Sequence, residues 1–356
     1  MNKIKQGIIP PYILKELAEK GNEHAIKSLA ITKDTHEKLL DNKKNENDVE
    51  NNKHHHANIV TEPKRHVYDS QETEQKRRKI ERDEGDSPTN DDDVNRAYDF
   101  SGFTLKYLND VLKRNSLDNK GMDLIFNVHF GYKFMNAFWD GSTNEMIFGD
   151  GDGKKFISFT RGIDVIAHEM GHGVTQIMNH LGYEGETGAL NEHFSDVIGS
   201  AVKQKYFQQT ADTADWLIGD KVVGPGWKGI ALRSMKAPGT AYENDPQPDH
   251  IRNYVHLPIS DRPEDDHGGV HINSGIPNKA FFLVSMEIGT DNAAVIWYNA
   301  WNDKNYLGTN SKFRDLFNAI VKSARTLVEK GNIPSNAESV VKKAFSEVGI
   351  TSIVSV

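Results

Sequence analysis

The chain has 356 residues, a formal net charge of −8 and no cysteine. The absence of cysteine excludes disulfides, thiolate catalysis and cysteine-based zinc sites, and without a basic excess we expect no nucleic-acid partner. No apolar run reaches the roughly 18 residues of a membrane span, so no membrane partner is expected. Residues 1–11 lack the apolar core of a signal peptide. We therefore expect a protein that is cytoplasmic before export and is secreted without a conventional signal peptide.

The first forty residues are predicted to form a small unit with two short helices. Proline disfavours helix in the residue before it, so residues 8–12 should be extended. Apolar spacing then predicts one helix over residues 13–21 and a second over residues 23–31. Such a unit is too small to hold its own core, so it must pack on the rest of the chain or stay loose.

Residues 41–96 contain few apolar side chains and many charged and amide side chains. This composition cannot bury enough surface to offset chain entropy, so most of the stretch is predicted to be linker, with one edge strand near residues 65–70. The run His54-His55-His56 could bind a metal, although a solvated linker run is the favoured interpretation.

From residue 97 the pattern becomes that of a folded domain. A helix is predicted over residues 103–114, and alternating apolar residues predict a strand over residues 122–130. Further strand segments at residues 134–139 and 146–149 lead into a tight glycine-rich turn. This part of the chain is therefore predicted to be rich in β-structure.

The stretch from Val165 to Val174 contains the pattern H-E-x-x-H. Residues four apart share one face of a helix, so His168 and His172 can both point at one ion, and neutral imidazole is a good zinc ligand. Glu169 lies one step round the helix and can reach a water on that ion. Apolar residues surround much of this helix, predicted over residues 161–181, so its polar residues would be costly to bury without a partner ion.

A second helix is predicted from a Thr187 cap to residue 209, and it carries Glu192 and Asp196 four residues apart. A carboxylate from this helix can complete three protein ligands and leave a fourth position open, as in catalytic zinc sites. Asp196 can accept the second ring N–H of a ligand histidine. The alternative is that both acids belong to a solvated face.

Residues 210–265 are rich in loops, and four helices are predicted after them, over residues 276–288, 292–301, 312–329 and 336–348. The predicted fold class is therefore α+β. A β-rich amino-terminal lobe and an α-helical carboxyl-terminal lobe are joined by the central helix that carries H-E-x-x-H. A cleft between two such lobes is a usual place for an active site.

Several motifs agree in order and spacing with one protein family. They are Asn136-Ala137-Phe138-Trp139, His168-Glu169-x-x-His172, Gly188-Ala189-Leu190-Asn191-Glu192-x-x-Ser195-Asp196, Leu232-Arg233-Ser234-Met235 and Gly268-Gly269-Val270-His271-Ile272-Asn273-Ser274-Gly275. With this set the chain resembles the thermolysin family of zinc metallopeptidases, the gluzincins. Its Pro10-Pro11-Tyr12 segment resembles the short propeptide of the protealysin-like branch. The resemblance implies a two-lobed thermolysin-like fold and a zinc-dependent neutral endopeptidase, made as a zymogen, that acts on protein or peptide substrates.

The resemblance also implies a role for each motif residue. Those implied to act at the metal and in catalysis are His168, His172 and Glu192 as zinc ligands, Glu169 as general base, Tyr183 and His271 as oxyanion donors, and Asp266, Asp196 and Asn191 as residues that orient them. Those implied to bind substrate are Asn136, Ala137 and Arg233 along the peptide chain, and Val165, Leu232, Phe156 and Phe159 around a pocket on the primed side. Such a pocket favours a bulky apolar residue just after the cleaved bond.

Two positions depart from the calcium-rich members of that family, because Lys203 and Leu217 stand where those members carry acidic residues. A lysine ammonium can neutralise the carboxylates that remain, which are Asp164, Asp215 and Asp220. Calcium binding is therefore left open at this stage.

The resemblance divides the chain into a short propeptide (residues 1–50), a polar linker with the start of the mature chain (51–96), a β-rich lobe with the central helix (97–186) and an α-helical lobe (187–356). We expect the propeptide to act as an intramolecular inhibitor and the protein to be a monomer. A tail with no inhibitory role is the alternative. A binding module with structural zinc and a zinc hydrolase of non-peptide substrates are also considered, but the three-ligand set and the peptide-binding elements disfavour them.

Overall fold

The computed structural model describes residues 6–32, 62–303 and 305–352. A mixed sheet dominates the amino-terminal half and helices make up the carboxyl-terminal half, so the predicted two-lobed α+β fold is confirmed. The run His54–His56 and the predicted boundary at residue 50 lie outside the described residues. Within the described ranges, no helix combines the length and the apolar character needed to cross a membrane.

The main sheet belongs to the amino-terminal lobe. Its strands are β1 (Gln6–Gly7), β2 (Arg65–Asp69), β3 (Lys79–Arg82), β4 (Leu124–Val128), β5 (Ala137–Asp140) and β6 (Glu145–Phe148). Their spatial order is β1-β5-β6-β4-β2-β3, with β4 parallel to β2 and β6 and the other neighbours antiparallel. Phe126 and Val128 of β4 are fully buried, as the apolar alternation predicts. A small second sheet pairs β7 (Leu217–Ile218) with β8 (Arg233–Ser234).

The helices carry most of the remaining residues. In chain order they are α1 (Pro11–Glu19), α2 (residues 23–32), α3 (Asp92–Asp110), α4 (Ile163–Met178), α5 (Gly185–Tyr206), α6 (Asp266–Asn273), α7 (Gly275–Ile288), α8 (Thr290–Trp301), α9 (Phe313–Glu329) and α10 (Ala337–Glu347). The last four agree with the predicted segments to within a few residues, whereas α6 was not predicted. Thr187 is not the cap of α5, because the helix starts before it and its hydroxyl donates to the Ser311 carbonyl at 2.8 Å.

The polar stretch before residue 97 differs from its prediction as linker, because residues 62–96 form β2, β3 and the start of α3. β2 lies inside the sheet, and the edge strand is β3. Charge pairs and an aromatic ring stabilise this stretch in place of apolar burial. Arg65 pairs with Glu84 and Arg82 with Asp99, and both guanidinium groups lie 3.8 Å from the centre of the Tyr98 ring.

Helix α3 starts well before the predicted residue 103, because Asp91 caps it. The Asp91 side chain accepts the N–H groups of Asp93 and Val94 at 2.8 and 3.2 Å. Its other oxygen lies 2.9 Å from His129 Nε2, and His129 Nδ1 lies 2.9 Å from Asp150 in the turn after β6. Contact with Asp150 and Asp91 raises the pKa of His129 to about 10, so this imidazolium links α3 to that turn.

The centre of the molecule is the packed pair of α4 and α5. A Cβ on Gly171 of α4 would lie 2.9 Å from the Cα of Ser195, and a Cβ on Gly199 of α5 would lie 2.7 Å from the Asp164 carbonyl oxygen. Any larger residue at either glycine would therefore push the two backbones apart. The two glycines let α4 and α5 approach closely, and the polar faces of both helices meet where they do so.

Residues 6–32 pack on both lobes, as a unit of this size requires. β1 extends the main sheet beside β5, and α1 lies against the turn at residues 263–265 of the other lobe. Asn22 donates to Asp152 at 2.8 Å, and Ser28 accepts the N–H of Met135 at 2.9 Å. The apolar residues that α1 buries are Ile13, Leu14 and Leu17.

Replacing His129 by asparagine should remove a stabilising imidazolium. The pKa of His129 is higher in the folded state than in the unfolded state. The contribution of its imidazolium to the free energy of unfolding is therefore complete below about pH 6.5 and is lost as the pH rises through about 10. We therefore expect the difference in free energy of unfolding between wild type and His129→Asn to shrink over that interval, measured by denaturant titration at each pH. A difference that stays constant from pH 6.5 to 10 would contradict this account.

Candidate active site

The close approach of α4 and α5 brings three fully buried acceptor groups to one point. His168 Nε2 and His172 Nε2 lie 3.0 Å apart, and the two oxygens of Glu192 lie 3.5 and 3.4 Å from them. One potential ligand atom from each of the three residues lies within 4.8 Å of those of the other two. The structure thus brings together the three residues predicted as metal ligands.

The partners of the two rings fix which nitrogen carries the proton. His168 Nδ1 lies 2.9 Å from Asp196, which only accepts hydrogen bonds, and His172 Nδ1 lies 2.9 Å from the Asn191 oxygen. Both Nδ1 atoms therefore carry the ring proton, and in the neutral form of each ring Nε2 offers its lone pair to a metal. Burial lowers the pKa of His172 to about 3, so its ring is neutral at pH 7.

Two lone pairs and a carboxylate that face one another in a buried site repel unless a cation lies between them. One Glu192 oxygen, Oε2, also has no hydrogen-bond partner among the described residues. Two neutral imidazoles and one carboxylate form a ligand set typical of catalytic zinc. The residues present therefore fit a single divalent metal ion of this kind.

Glu169 lies beside this group and is fully buried. One of its oxygens accepts the N–H of Trp139 at 2.8 Å, and the other, Oε1, has no partner in the described part of the chain. Burial and the Glu192 charge raise the pKa of Glu169 well above its usual range, while the N–H groups of Trp139 and Ile8 act in the opposite direction. A carboxylate with a raised pKa is a stronger base than one in water.

Two hydrogen-bond donors, Tyr183 before α5 and His271 of α6, face the same point. The Tyr183 hydroxyl donates to Glu192 and lies 3.2 Å from His271 Nε2. His271 Nδ1 lies 2.6 Å from Asp266. Burial alone would lower the pKa of His271, but the charges of Glu192 and Asp266 raise it to about 9. Nε2 therefore carries a proton at neutral pH.

A left-handed turn at the start of α6 places Asp266 for this contact. Asp266 and His267 have φ values of 47° and 50°, and Gly268 and Gly269 follow with 88° and 81°. Residues other than glycine adopt such angles only uncommonly, because the Cβ atom is crowded there, and here two of them occur in succession. The turn folds the Asp266 carboxylate back onto the backbone N–H of His271, at 2.8 Å, as well as onto its ring.

Asp196 connects the metal-ligand group to Arg233, which was predicted to bind substrate. Its carboxylate receives two hydrogen bonds from Arg233, at 2.8 and 2.9 Å, in addition to the one from His168. Although burial alone would raise it, the Arg233 guanidinium holds the pKa of Asp196 well below its usual range. Arg233 is itself buried and also donates to the carbonyl of Ile8 at 3.1 Å.

Sequence reasoning missed the outer part of this network. Asn278 donates to Asp196 at 2.9 Å, and its oxygen lies 2.7 Å from His193, whose other ring nitrogen accepts from Trp297 at 2.6 Å. These residues come from α5, α7 and α8, so no spacing in the sequence joins them. The available signal was a polar residue on an apolar helix, since Asn278 lies among the buried residues of α7.

The residues predicted to bind a substrate peptide contact the protein's own amino-terminal segment. Ile8 donates its N–H to the Ala137 carbonyl at 3.0 Å, and Ile9 donates to the Asn136 side chain at 2.9 Å. The Gly7 carbonyl lies 3.0 Å from His271 Nε2. The residues predicted around the primed-side pocket are all buried and share the hydrophobic core with Ile8; they are Phe156, Phe159, Val165 and Leu232.

A second group with metal-ligand chemistry has a different character. The side chains of Asp91, Asp93 and His129 come together near the start of α3. Both ring nitrogens of His129 are already engaged by carboxylates, and Asp93 pairs with Arg96 at 2.6 Å. The group is therefore charge-balanced by its own cations, and we interpret it as structural.

Comparison with known proteins gives a consistent result. The model for "Thermolysin metallopeptidase, catalytic domain" matches residues 18–176, and that for "Thermolysin metallopeptidase, alpha-helical domain" matches residues 179–350. The chain is 38% identical to Protease PrtS of Photorhabdus sp. (strain Az29), over 98% of this chain and 93% of that protein. It is 39% identical to the Extracellular metalloprotease of Pectobacterium carotovorum subsp. carotovorum, over 83% of this chain and 84% of that protein.

The fold is also similar to a solved precursor structure. The precursor of protealysin, a metalloproteinase from Serratia proteamaculans, has a TM-score of 0.82 and is 37% identical. The match covers 97% of this chain and 100% of the other. The similarity therefore extends over nearly the whole chain and includes both lobes.

Proposed function

Since this chain belongs to the thermolysin metallopeptidase family and is a zinc metalloendopeptidase, we propose that its full-length form is a zymogen whose site cleaves peptide bonds before a bulky apolar residue. The observation that carries this proposal is the position of residues 7–9, which use the hydrogen-bonding groups that a substrate would need. Once those residues leave, the same groups become available to a peptide.

His168, His172 and Glu192 would hold the metal, with Asp196 and Asn191 fixing the two rings. Bound zinc supplies Lewis acidity to the scissile carbonyl and to the attacking water. Three protein ligands with a free base beside them suit a catalytic metal, because structural zinc sites usually have four protein ligands. This supports the catalytic interpretation over that of a binding module.

Glu169 would take the proton of the attacking water and pass it to the nitrogen of the leaving amine. Its burial and raised pKa support this role, since a carboxylate with a raised pKa accepts a proton from water more readily than an ordinary one. Tyr183 and His271 would donate hydrogen bonds to the oxygen that gains charge, and Asp266 would keep His271 protonated and oriented. Loss of one such donor typically lowers the rate by about 10²–10³-fold.

Asn136 and Ala137 would hold the peptide chain as an added strand beside β5, and Arg233 would bind a carbonyl just past the cleaved bond. The contacts of Ile8 and Ile9 support these assignments, because Ile8 bonds to Ala137 and Arg233 and Ile9 bonds to Asn136. Phe156, Phe159, Val165 and Leu232 are buried in the same hydrophobic core as Ile8, and this supports a bulky apolar preference on the primed side.

Latency is supported by the burial of the amino-terminal segment. Ile8 is fully buried, and Gly7 lies against the predicted oxyanion donor His271, so a peptide could not enter without displacing them. Secretion is supported by a relative, which carries the name Extracellular metalloprotease. We therefore infer that activation requires a cut in the chain after residue 32 and release of the cleaved segment.

We further propose that Lys203 takes the place of a calcium ion between α5 and β7. Its ammonium lies 2.7 Å from Asp220, 3.0 Å from Asp215 and 3.9 Å from Asp164, and it donates to the Leu217 carbonyl at 3.0 Å. Although burial alone would lower it, the nearby carboxylates raise the pKa of Lys203, so the charge is kept. This arrangement supplies a positive charge among the three carboxylates without a metal.

Replacing Glu169 by alanine should abolish peptidase activity and leave the metal in place. The base is lost but the three ligands remain, so we expect a fall of at least about 10³-fold in kcat for a peptide substrate, with one zinc per chain retained. The measurements are peptide hydrolysis by the trimmed protein and metal analysis. The exposed Glu243→Ala variant serves as a control and should keep wild-type activity. Near wild-type cleavage by Glu169→Ala would show that another group is the base.

Replacing Leu14 by aspartate should release the full-length chain from latency. Leu14 is fully buried on the inner face of α1, so a charge there would destabilise docking of the segment by several kcal/mol. We expect uncut Leu14→Asp to approach the activity of the trimmed enzyme, in a peptide assay with the chain length checked by gel. Ile26→Asp, at a position that is 53% exposed, is the matched control and should stay latent. Equal activity of uncut and trimmed wild type would rule out latency.

Replacing Lys203 by methionine should lower the free energy of unfolding by about 3–5 kcal/mol, because buried carboxylates lose their partner. Lys205→Met on the same helix is the matched control. Its ion pair with Asp291 is exposed, so it should cost no more than about 1 kcal/mol. Denaturant titration with and without a calcium chelator measures both effects. A chelator-induced loss of wild-type stability would argue that calcium occupies this locus.

A further inference from the structure

The peptide bond between Gly7 and Ile8 lies among the groups assigned to catalysis. The Gly7 carbonyl oxygen is 3.0 Å from His271 Nε2, which is the position expected for the oxygen that gains charge. On the other side of the bond, the N–H of Ile8 reaches the Ala137 carbonyl of β5 at 3.0 Å. Trp139, two residues further along β5, donates its N–H to the Glu169 carboxylate at 2.8 Å. The assigned oxyanion donor therefore contacts the carbonyl of this bond, and the assigned base is held by the strand that pairs with it.

The residues after the bond continue in the same register. The Ile8 carbonyl accepts from Arg233 at 3.1 Å, and the Ile9 N–H donates to Asn136 at 2.9 Å. The Ile8 side chain is fully buried, as a bulky apolar residue in the primed-side pocket would be. The chain before and after the bond is thus held as an extended strand antiparallel to β5.

Position 7 is restricted to glycine in this arrangement. A Cβ on Gly7 would lie 2.8 Å from the Asn136 side-chain nitrogen and 3.0 Å from the Ala137 carbonyl oxygen. Asn136 cannot easily move, because its amide holds Ile9. The absence of a side chain lets the Gly7 backbone come close to the edge of the sheet.

From this geometry we infer that the full-length chain is a substrate of its own active site and is cut in cis between Gly7 and Ile8. The oxygen of a water molecule bonds to the carbonyl carbon of Gly7, and the bond from that carbon to the Ile8 nitrogen breaks. Both water protons end on that nitrogen, one of them by way of Glu169. The products are a Gly7 carboxylate and an Ile8 ammonium group. This inference rests on the proposed function of the site.

The cut would not by itself free the cleft. Residues beyond Ile8 stay anchored by Leu14 in the core, by the Asn22–Asp152 hydrogen bond and by the Ser28–Met135 hydrogen bond. The new amino terminus therefore stays in place as a bound product, and the nicked protein remains latent. Activation then needs a second cut, in the stretch between residue 32 and the folded lobes.

The test follows the amino terminus of the zinc-loaded full-length protein by intact-mass spectrometry. We expect the mass of residues 1–7 to be lost with a first-order rate that does not change over a tenfold range of protein concentration. Glu169→Gln should keep the intact terminus, and Ile8→Asp should slow the loss at least tenfold, while Ile26→Asp should be cut like wild type. An intact terminus in wild type, alongside peptide cleavage by the trimmed protein, overturns the inference and leaves the proposed function standing. If the trimmed protein cleaves no peptide either, both fail.

A second measurement tests the position of residues 8 and 9 and does not depend on peptidase activity. In metal-free full-length protein, hydrogen exchange of the Ile8 and Ile9 amides should be much slower than in an unstructured peptide, because both are buried and hydrogen-bonded. Asn136→Ala should speed exchange at Ile9 more than at Ile8, since only Ile9 donates to that side chain. Unprotected exchange at both amides in wild type would contradict the register on which the inference depends.

Discussion

The close approach of α4 and α5 is the constraint on which the rest of the site depends. Because Gly171 and Gly199 carry no side chain, the helices come near enough for Glu192 to face His168 and His172. Three acceptor groups that are buried together away from water repel one another, so this packing favours the binding of a cation between them. The two lobes can be regarded as the structure that keeps those helices together and covers them with apolar side chains.

Asp196 shows how one carboxylate can couple binding at two places. It fixes the proton on His168 and, through two hydrogen bonds, the orientation of Arg233. Arg233 in turn donates to the carbonyl of Ile8 in the amino-terminal segment. Asn278 donates to the same carboxylate and is itself held by His193, so His168 and Arg233 share one supported partner.

Much of the site could be predicted because its chemistry is local in the sequence. His168, Glu169 and His172 share one helix, and Glu192 and Asp196 share the next, so helical spacing alone pairs them. Asn278 and Trp297 could not be found in this way, since they reach the site from α7 and α8 through tertiary packing. The left-handed turn at Asp266 was missed for a related reason, because only the fold explains why a non-glycine residue adopts that angle. The linker prediction for residues 62–96 was wrong because it counted apolar residues, whereas that stretch is held by arginine pairs around Tyr98.

The most direct test of the account is casein hydrolysis by the trimmed protein before and after its metal is removed. The account predicts that a chelator abolishes cleavage and that one equivalent of zinc per chain restores it. It also predicts that a chain lacking the Glu192 carboxylate, made as Glu192→Gln, regains much less activity at the same zinc concentration. A metal-stripped protein that still cleaves casein at its original rate would contradict the central claim that the α4–α5 site performs catalysis with a metal.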